Sequence, residues 1–180
     1  MKNQNTKKLA YAALFLALCL VLPMLTGQIP QIGSMLLPMH IPVLLCGLVC
    51  GWQYGAAVGF VAPLLRSVLF GMPPMYPVAI AMAFELLTYG LVIGLVYRRM
   101  AQKGAAGVYA ALLTAMVGGR LVWGVAEVVL LGLGGKAFTA QAFLAGALLN
   151  AVPGIIVQLV LIPAVMAALQ KARAVKEYAE

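Results

Sequence analysis

Four ionisable residues, Arg66, Glu85, Arg120 and Glu127, each lie inside a long apolar run. Arg120, Trp123 and Glu127 follow i, i+3, i+7 spacing and so share one face of a helix, and Glu85 and Tyr89 form a similar i, i+4 pair. A polar stripe with an indole set into it suits a pocket for a flat or zwitterionic organic molecule. Asn150 adds an amide and His40 an imidazole, the latter reading equally as a mouth-lining or backbone-bonded histidine. Two arginines balance two glutamates, so the same residues also read as structural ion pairs that fix helix packing. Arg66 fits the pocket less well than the others and reads also as a structural counter-ion.

Catalytic chemistry finds no comparable pattern. There is no His/Glu metal motif, no Gly-x-Ser nucleophile turn, no phosphate-binding loop and no paired carboxylates of an intramembrane protease. The expectation is a protein that is not an enzyme and uses no cofactor or metal. Without an ATP site, uphill transport by this chain would draw on a partner or an ion gradient.

The elements that position these residues follow from composition. Of 180 residues, 64% are hydrophobic and 9% are charged, with mean hydropathy +1.05. A soluble domain carries roughly a quarter charged residues, so the solvent of this chain is lipid. The net charge of +8 is distributed against a nucleic-acid partner. Nine of the twelve Lys and Arg fall in three clusters, Lys2/Lys7/Lys8, Arg98/Arg99/Lys103 and Lys171/Arg173/Lys176, each bordering an apolar run. That is the cytoplasmic bias of a multi-pass protein. The basic, then apolar, N-terminus lacks a convincing cleavage site and reads as a retained helix. Cys19, Cys46 and Cys50 lack ligand partners at metal spacing and read as small buried hydrophobes.

A membrane helix needs about 20 apolar residues. The expected architecture is an all-α integral membrane protein, one domain over 1–180, with spans at about 9–26, 36–51, 55–70, 78–97, 105–131 and 140–169. Gly51–Gly55 reads as the turn of a hairpin. Pro42 suits a first helical turn, which would leave span two short; a re-entrant hairpin gives the same parity downstream. Gly71–Pro77, with three prolines, cannot be helix interior, and Pro153-Gly154 should kink span six. Both termini fall inside, leaving Lys136 the only Lys or Arg in an outer loop.

At about 1.5 Å per residue, Arg66 and Glu85 lie about 7 and 10 Å from the outer ends of their spans. Glu127 is within two turns of the outer end of span five, Arg120 and Asn150 fall near mid-membrane, and the inner half holds little beyond Gln158. The Gly47/Gly51 and Gly55/Gly59 spacings indicate close helix packing, and Ala10, Ala13 and Ala17 put a small-residue face on span one. That face serves either internal packing or docking to another membrane subunit.

The six-span layout, the Ala-x-x-x-Ala face, and the segment Met39-His40-Ile41-Pro42-Val43-Leu44-Leu45-Cys46-Gly47 followed by Gly51, Gly55 and Gly59 resemble the substrate-binding S components of energy-coupling factor (ECF) vitamin transporters, of the riboflavin and pantothenate type. The resemblance runs from Lys8 to Leu169. It implies capture of a vitamin or related micronutrient at the outer face of the plasma membrane, toppling, and release inside, driven by one transmembrane T component and two ATPase subunits. It further implies that the loop Gly27–Met39 and spans four to six enclose the ligand, with Glu85, Tyr89, Arg120, Trp123, Glu127 and Asn150 as contacts and Ala10, Ala13 and Ala17 as docking residues. A stand-alone proton-coupled or facilitative carrier, with Glu85 and Glu127 as proton sites, is the alternative; no inverted repeat is evident to support it.

Overall fold

The computed structural model describes residues 2–26, 35–100, 104–135, 137, 139–146 and 150–172. Most of the expected loop 27–39, together with Lys103, Lys136, Arg173 and Lys176, lies outside the described residues. Seven α-helices follow in order among them: α1 (Lys2–Val21), α2 (His40–Cys50), α3 (Trp52–Phe70), α4 (Ile80–Met100), α5 (Ala105–Leu133), α6 (Ala140–Leu144) and α7 (Val152–Lys171). No strand occurs among the described residues. Among the described residues, five segments are long and apolar enough to cross a membrane: Asn5–Leu25, Trp52–Phe70, Met75–Met100, Ala105–Leu133 and Val152–Lys171.

The helix α2 is the exception and the organising element. Its eleven residues span about 16 Å, roughly half of a hydrocarbon core. Pro42 stands in its first turn, where a missing N–H costs nothing, so the continuous helix in the run 36–51 begins at His40. Every residue of α2 except Ile41 is buried. A helix that is apolar all round is enclosed by protein, and α1, α3, α4 and α7 supply that enclosure. Leu44, Val43 and Cys46 are fully shielded at its centre, and the cysteines are free and buried.

Glycines set how closely the helices approach. A methyl group placed on Gly55 would lie 2.7 Å from the Gly47 Cα and 2.8 Å from the Gly90 carbonyl; one on Gly59 would collide with the Leu86 backbone. So α2, α3 and α4 meet backbone to backbone, the contact that small residues permit in lipid. Gly51 does something else. Its φ of 97° makes the break between α2 and α3, and a Cβ there would touch nothing. The turn is therefore one residue, and Trp52 to Gly55 already belong to α3.

Two further expectations are corrected. Residues 71–74, with Pro73 and Pro74, are non-helical, but the chain enters α4 through a wide turn at Met75–Ala79 that includes Pro77, with Tyr76 extended (φ −115°, ψ 133°). The Tyr76 hydroxyl donates to the Leu130 carbonyl, tying this entry to the end of α5. In the region 140–169 the described residues form α6 (Ala140–Leu144) and α7 (Val152–Lys171), and Pro153 stands in the first turn of α7 and not at an interior kink. Proline's lack of a donor suits a helix start better than a helix interior.

Candidate functional site

Three helices bring the polar residues together. Glu85, on the inward face of α4, is 1% exposed. Its Oε1 lies 2.9 Å from Arg120 Nη1 on α5 and 3.3 Å from His40 Nε2 at the start of α2. His40 is held there by its backbone N–H, which donates to the Leu37 carbonyl at 3.0 Å. The ring of Tyr89, one turn along α4 from Glu85, meets His40 edge-on at 5.1 Å between centroids. On its other side it occupies the space a Cβ on Gly119 would need, 2.7 Å from that position. Gly119 thus lets Tyr89 wedge beside Arg120. Tyr89 is buried in the core and supports the cluster from behind.

Along α5 the stripe continues. The Arg120 guanidinium stands 5.9 Å from the centre of the Trp123 ring, within cation–π range. Trp123 in turn stacks on Phe143 of α6 at 6.1 Å and 25°. Cβ atoms on Gly124 and Gly146 would strike the Phe143 and Trp123 rings at 2.4–2.7 Å, so the segment 143–146 lies flat across the aromatic part of the stripe. Glu127 is 6% exposed and lies two turns beyond Arg120 on the same face of α5, next to the Trp123 side chain. An apolar groove lined by Leu121, Val125, Val128, Thr139, Ala140 and Phe143 borders the Phe143 end of the stripe and carries none of these charges.

Several buried polar atoms have no hydrogen-bond partner among the described residues: Arg120 Nε and Nη2 and His40 Nδ1 in the cluster, and both amide atoms of Gln158 on α7. Burying such atoms unsatisfied costs about 1–3 kcal/mol each. Gln158 is fully buried on the inward face of α7. Gly154, one turn before it, touches the backbone of Met35 and Leu36, which lead within one turn to His40. From sequence Gln158 is an isolated polar residue of the inner half and no site candidate; its position on a buried helix face is the signal that could have found it.

Two expected site residues go elsewhere. Arg66 is buried on α3, but its Nη1 donates to the Leu20 carbonyl of α1 at 2.5 Å, and its guanidinium lies 5.3 Å from the Phe70 ring centre. It fastens the end of α1 and does not join Glu85. Asn150 is exposed in the turn before α7, its backbone N–H donating to the Ala145 carbonyl at 2.9 Å; because α7 begins only at Val152, it never enters a helix. Ala10, Ala13 and Ala17 are exposed, while Ala12, Phe15 and Cys19 form the face by which α1 packs inward. The alanine face is left uncovered by the described residues.

A bundle of long apolar helices around a buried Arg–Glu–His cluster defines a multi-pass membrane protein. The chain belongs to the ECF transporter substrate-specific component family, whose model matches residues 7–166. It is therefore a substrate-specific subunit of a membrane transporter and not an enzyme, and the family implies association with the T component and ATPases of an ECF module. No curated protein and no solved structure matches the chain.

Proposed function

We propose that this chain captures a vitamin or related micronutrient from outside the plasma membrane at the cluster His40, Glu85, Arg120, Trp123 and Glu127. It then passes the molecule inward when docked on an ATP-driven module of one T component and two ATPase subunits. The observation that carries this reading is the buried cluster itself. The Glu85–Arg120 pair satisfies charge, yet one edge of the guanidinium has no partner among the described residues. A purely structural pair would leave little donor capacity unused at such a desolvation cost. Six passes with both termini cytoplasmic accord with the basic clusters at 2–8 and 98–103. The exposed alanine face of α1 supports docking over internal packing, because methyl side chains let a second backbone approach closely.

The test is purification of the tagged chain from membranes under mild detergent, with mass spectrometry of co-purifying proteins and of any retained small molecule. The reading predicts ECF module subunits and one retained molecule per chain. Uptake of that molecule by the purified chain alone in proteoliposomes, at the cellular rate and without ATPases, would instead establish the carrier alternative with Glu85 and Glu127 as proton sites.

A further inference from the structure

At the end of the bundle away from the polar cluster, two basic helix ends are brought to one level. Gln170 Nε2 of α7 donates to the Tyr97 hydroxyl of α4 at 3.2 Å. This bond joins helices that are not principal packing neighbours, since α4 packs mainly on α2, α3 and α5, and α7 on α2 and α5. Arg98 and Arg99 follow Tyr97 in the last turn of α4, and Lys171 follows Gln170 in the last turn of α7. Consecutive helical residues differ by only about 1.5 Å in height, so the bond sets Arg98 and Lys171 at nearly the same depth. All three cations are exposed, and none has an ion-pair partner among the described residues. Glu85 lies about 20 Å away along α4, and Glu127 is farther still from this end along α5. Each cation also faces the negative end of its own helix. That accounts for one helix end at a time, not for two held level by a hydrogen bond between them.

The surroundings say what kind of anion fits. Trp52 begins α3 one turn inward, where a Cβ on Gly94 would meet its backbone at 2.5 Å, and Trp and Tyr collect at the headgroup level of a bilayer. Deeper on the same helices, Leu95 of α4 and Val160 and Leu161 of α7 are exposed and apolar. Cations at headgroup level above an apolar surface match a lipid phosphate with its acyl chains. An acidic protein surface would meet the cations but leave the apolar residues uncovered. We infer that the level ends of α4 and α7 bind the headgroup of an anionic phospholipid, with Arg98 and Lys171 on its phosphate and Arg99 beside them. The cytoplasmic leaflet as its source rests on the topology proposed above; the site itself does not depend on what the polar cluster captures. The bound lipid fixes the depth of α4, the helix that carries Glu85 and Tyr89.

The test titrates the full chain in uncharged detergent micelles with phosphatidylglycerol or phosphatidylcholine of identical acyl chains and reads bound lipid by native mass spectrometry. The wild type should hold phosphatidylglycerol at least fivefold more tightly. Arg98→Gln combined with Lys171→Gln should reduce that preference to twofold or less. Lys7→Gln combined with Lys8→Gln, which removes as much charge from the other basic helix end, should leave it within twofold of wild type. Tyr97→Phe, which removes the bridging hydroxyl and no charge, should at least halve it. No preference in the wild type overturns the inference, and equal loss in the two double variants overturns it by showing general charge attraction. A preference that Tyr97→Phe leaves untouched overturns the bridge as its organiser. Should the Arg98/Lys171 variant bind both lipids as wild type yet no longer co-purify with the ATPase module, the cations belong to a protein partner and the lipid site is refuted. Micelles have no sidedness, so an error in topology shows separately, as labelling of Val175→Cys in whole cells by an impermeant reagent.

Discussion

The two sides of α4 are built on opposite terms. Toward α2 and α3 it presents Gly90 and Gly94, and backbones touch so closely that no methyl group fits between them. Toward α5 it presents Glu85 and Tyr89, and contact runs through long polar and aromatic side chains to Arg120 and Gly119. Backbone contact leaves one way for helices to pack, since a rigid chain cannot relax around an intruding atom. Side-chain contact can rearrange by rotamer changes at modest cost. The comparison separates a scaffold of α2, α3 and α4 from an adaptable wall of α5 and α6, and it places the polar cluster on the seam between them.

The largest effect should come from breaking the scaffold. Gly90→Val would drive a branched side chain into the Gly55 backbone, costing on the order of 3 kcal/mol or more. It should give aggregated protein in size-exclusion chromatography, while Gly132→Val, at a position with open space around it, should run as wild type. On the seam itself, Arg120→Ala should weaken ligand binding by about 2 kcal/mol or more, because Glu85 loses its counter-charge and the ligand its donors. Gln53→Ala, exposed at the start of α3 and beyond the end of α2 opposite His40, should leave calorimetric affinity unchanged.

On the outer surface, Ala13→Trp should abolish assembly with the ATPase module and cellular uptake, yet leave the ligand affinity of the isolated chain within about twofold, a few tenths of a kcal/mol. Loss of affinity as well would show that α1 contributes to the site. The smallest effect belongs to the wall. Phe143→Ala removes the stacking partner of Trp123 and should cost affinity about 1 kcal/mol with little change in melting temperature. A large stability loss there would erase the distinction between scaffold and wall.

Part of this division is legible in the chain itself. Glycine spacing points to close packing at Gly47, Gly55 and Gly59, and helical spacing brings Arg120, Trp123 and Glu127 onto one face, because both depend on local periodicity alone. Depth and partnership do not. Hydropathy does not distinguish α2, enclosed by four helices, from a lipid-facing span, since both are apolar all round. Arg66 looks like Arg120 by burial and residue type, yet the carbonyl it binds belongs to Leu20, 46 residues away. Asn150 falls at mid-membrane only if Pro153 bends a continuous helix, and instead that proline begins one. The stacking of Phe143 on Trp123 depends on a chain reversal after Leu133 that leaves no periodic trace.

The central claim is that the seam cluster binds the transported molecule and does more than hold helices together. It is tested most directly by calorimetric titration of the purified chain with the molecule it retains, comparing wild type with Arg120→Ala and recording the ligand-free melting temperature of each. The account predicts one site per chain in the wild type and at least a thirtyfold rise in Kd for Arg120→Ala, about 2 kcal/mol, with the ligand-free protein still folded and monodisperse. Unchanged affinity, or a variant that unfolds before ligand is added, would contradict it and return Glu85 and Arg120 to the role of a structural ion pair.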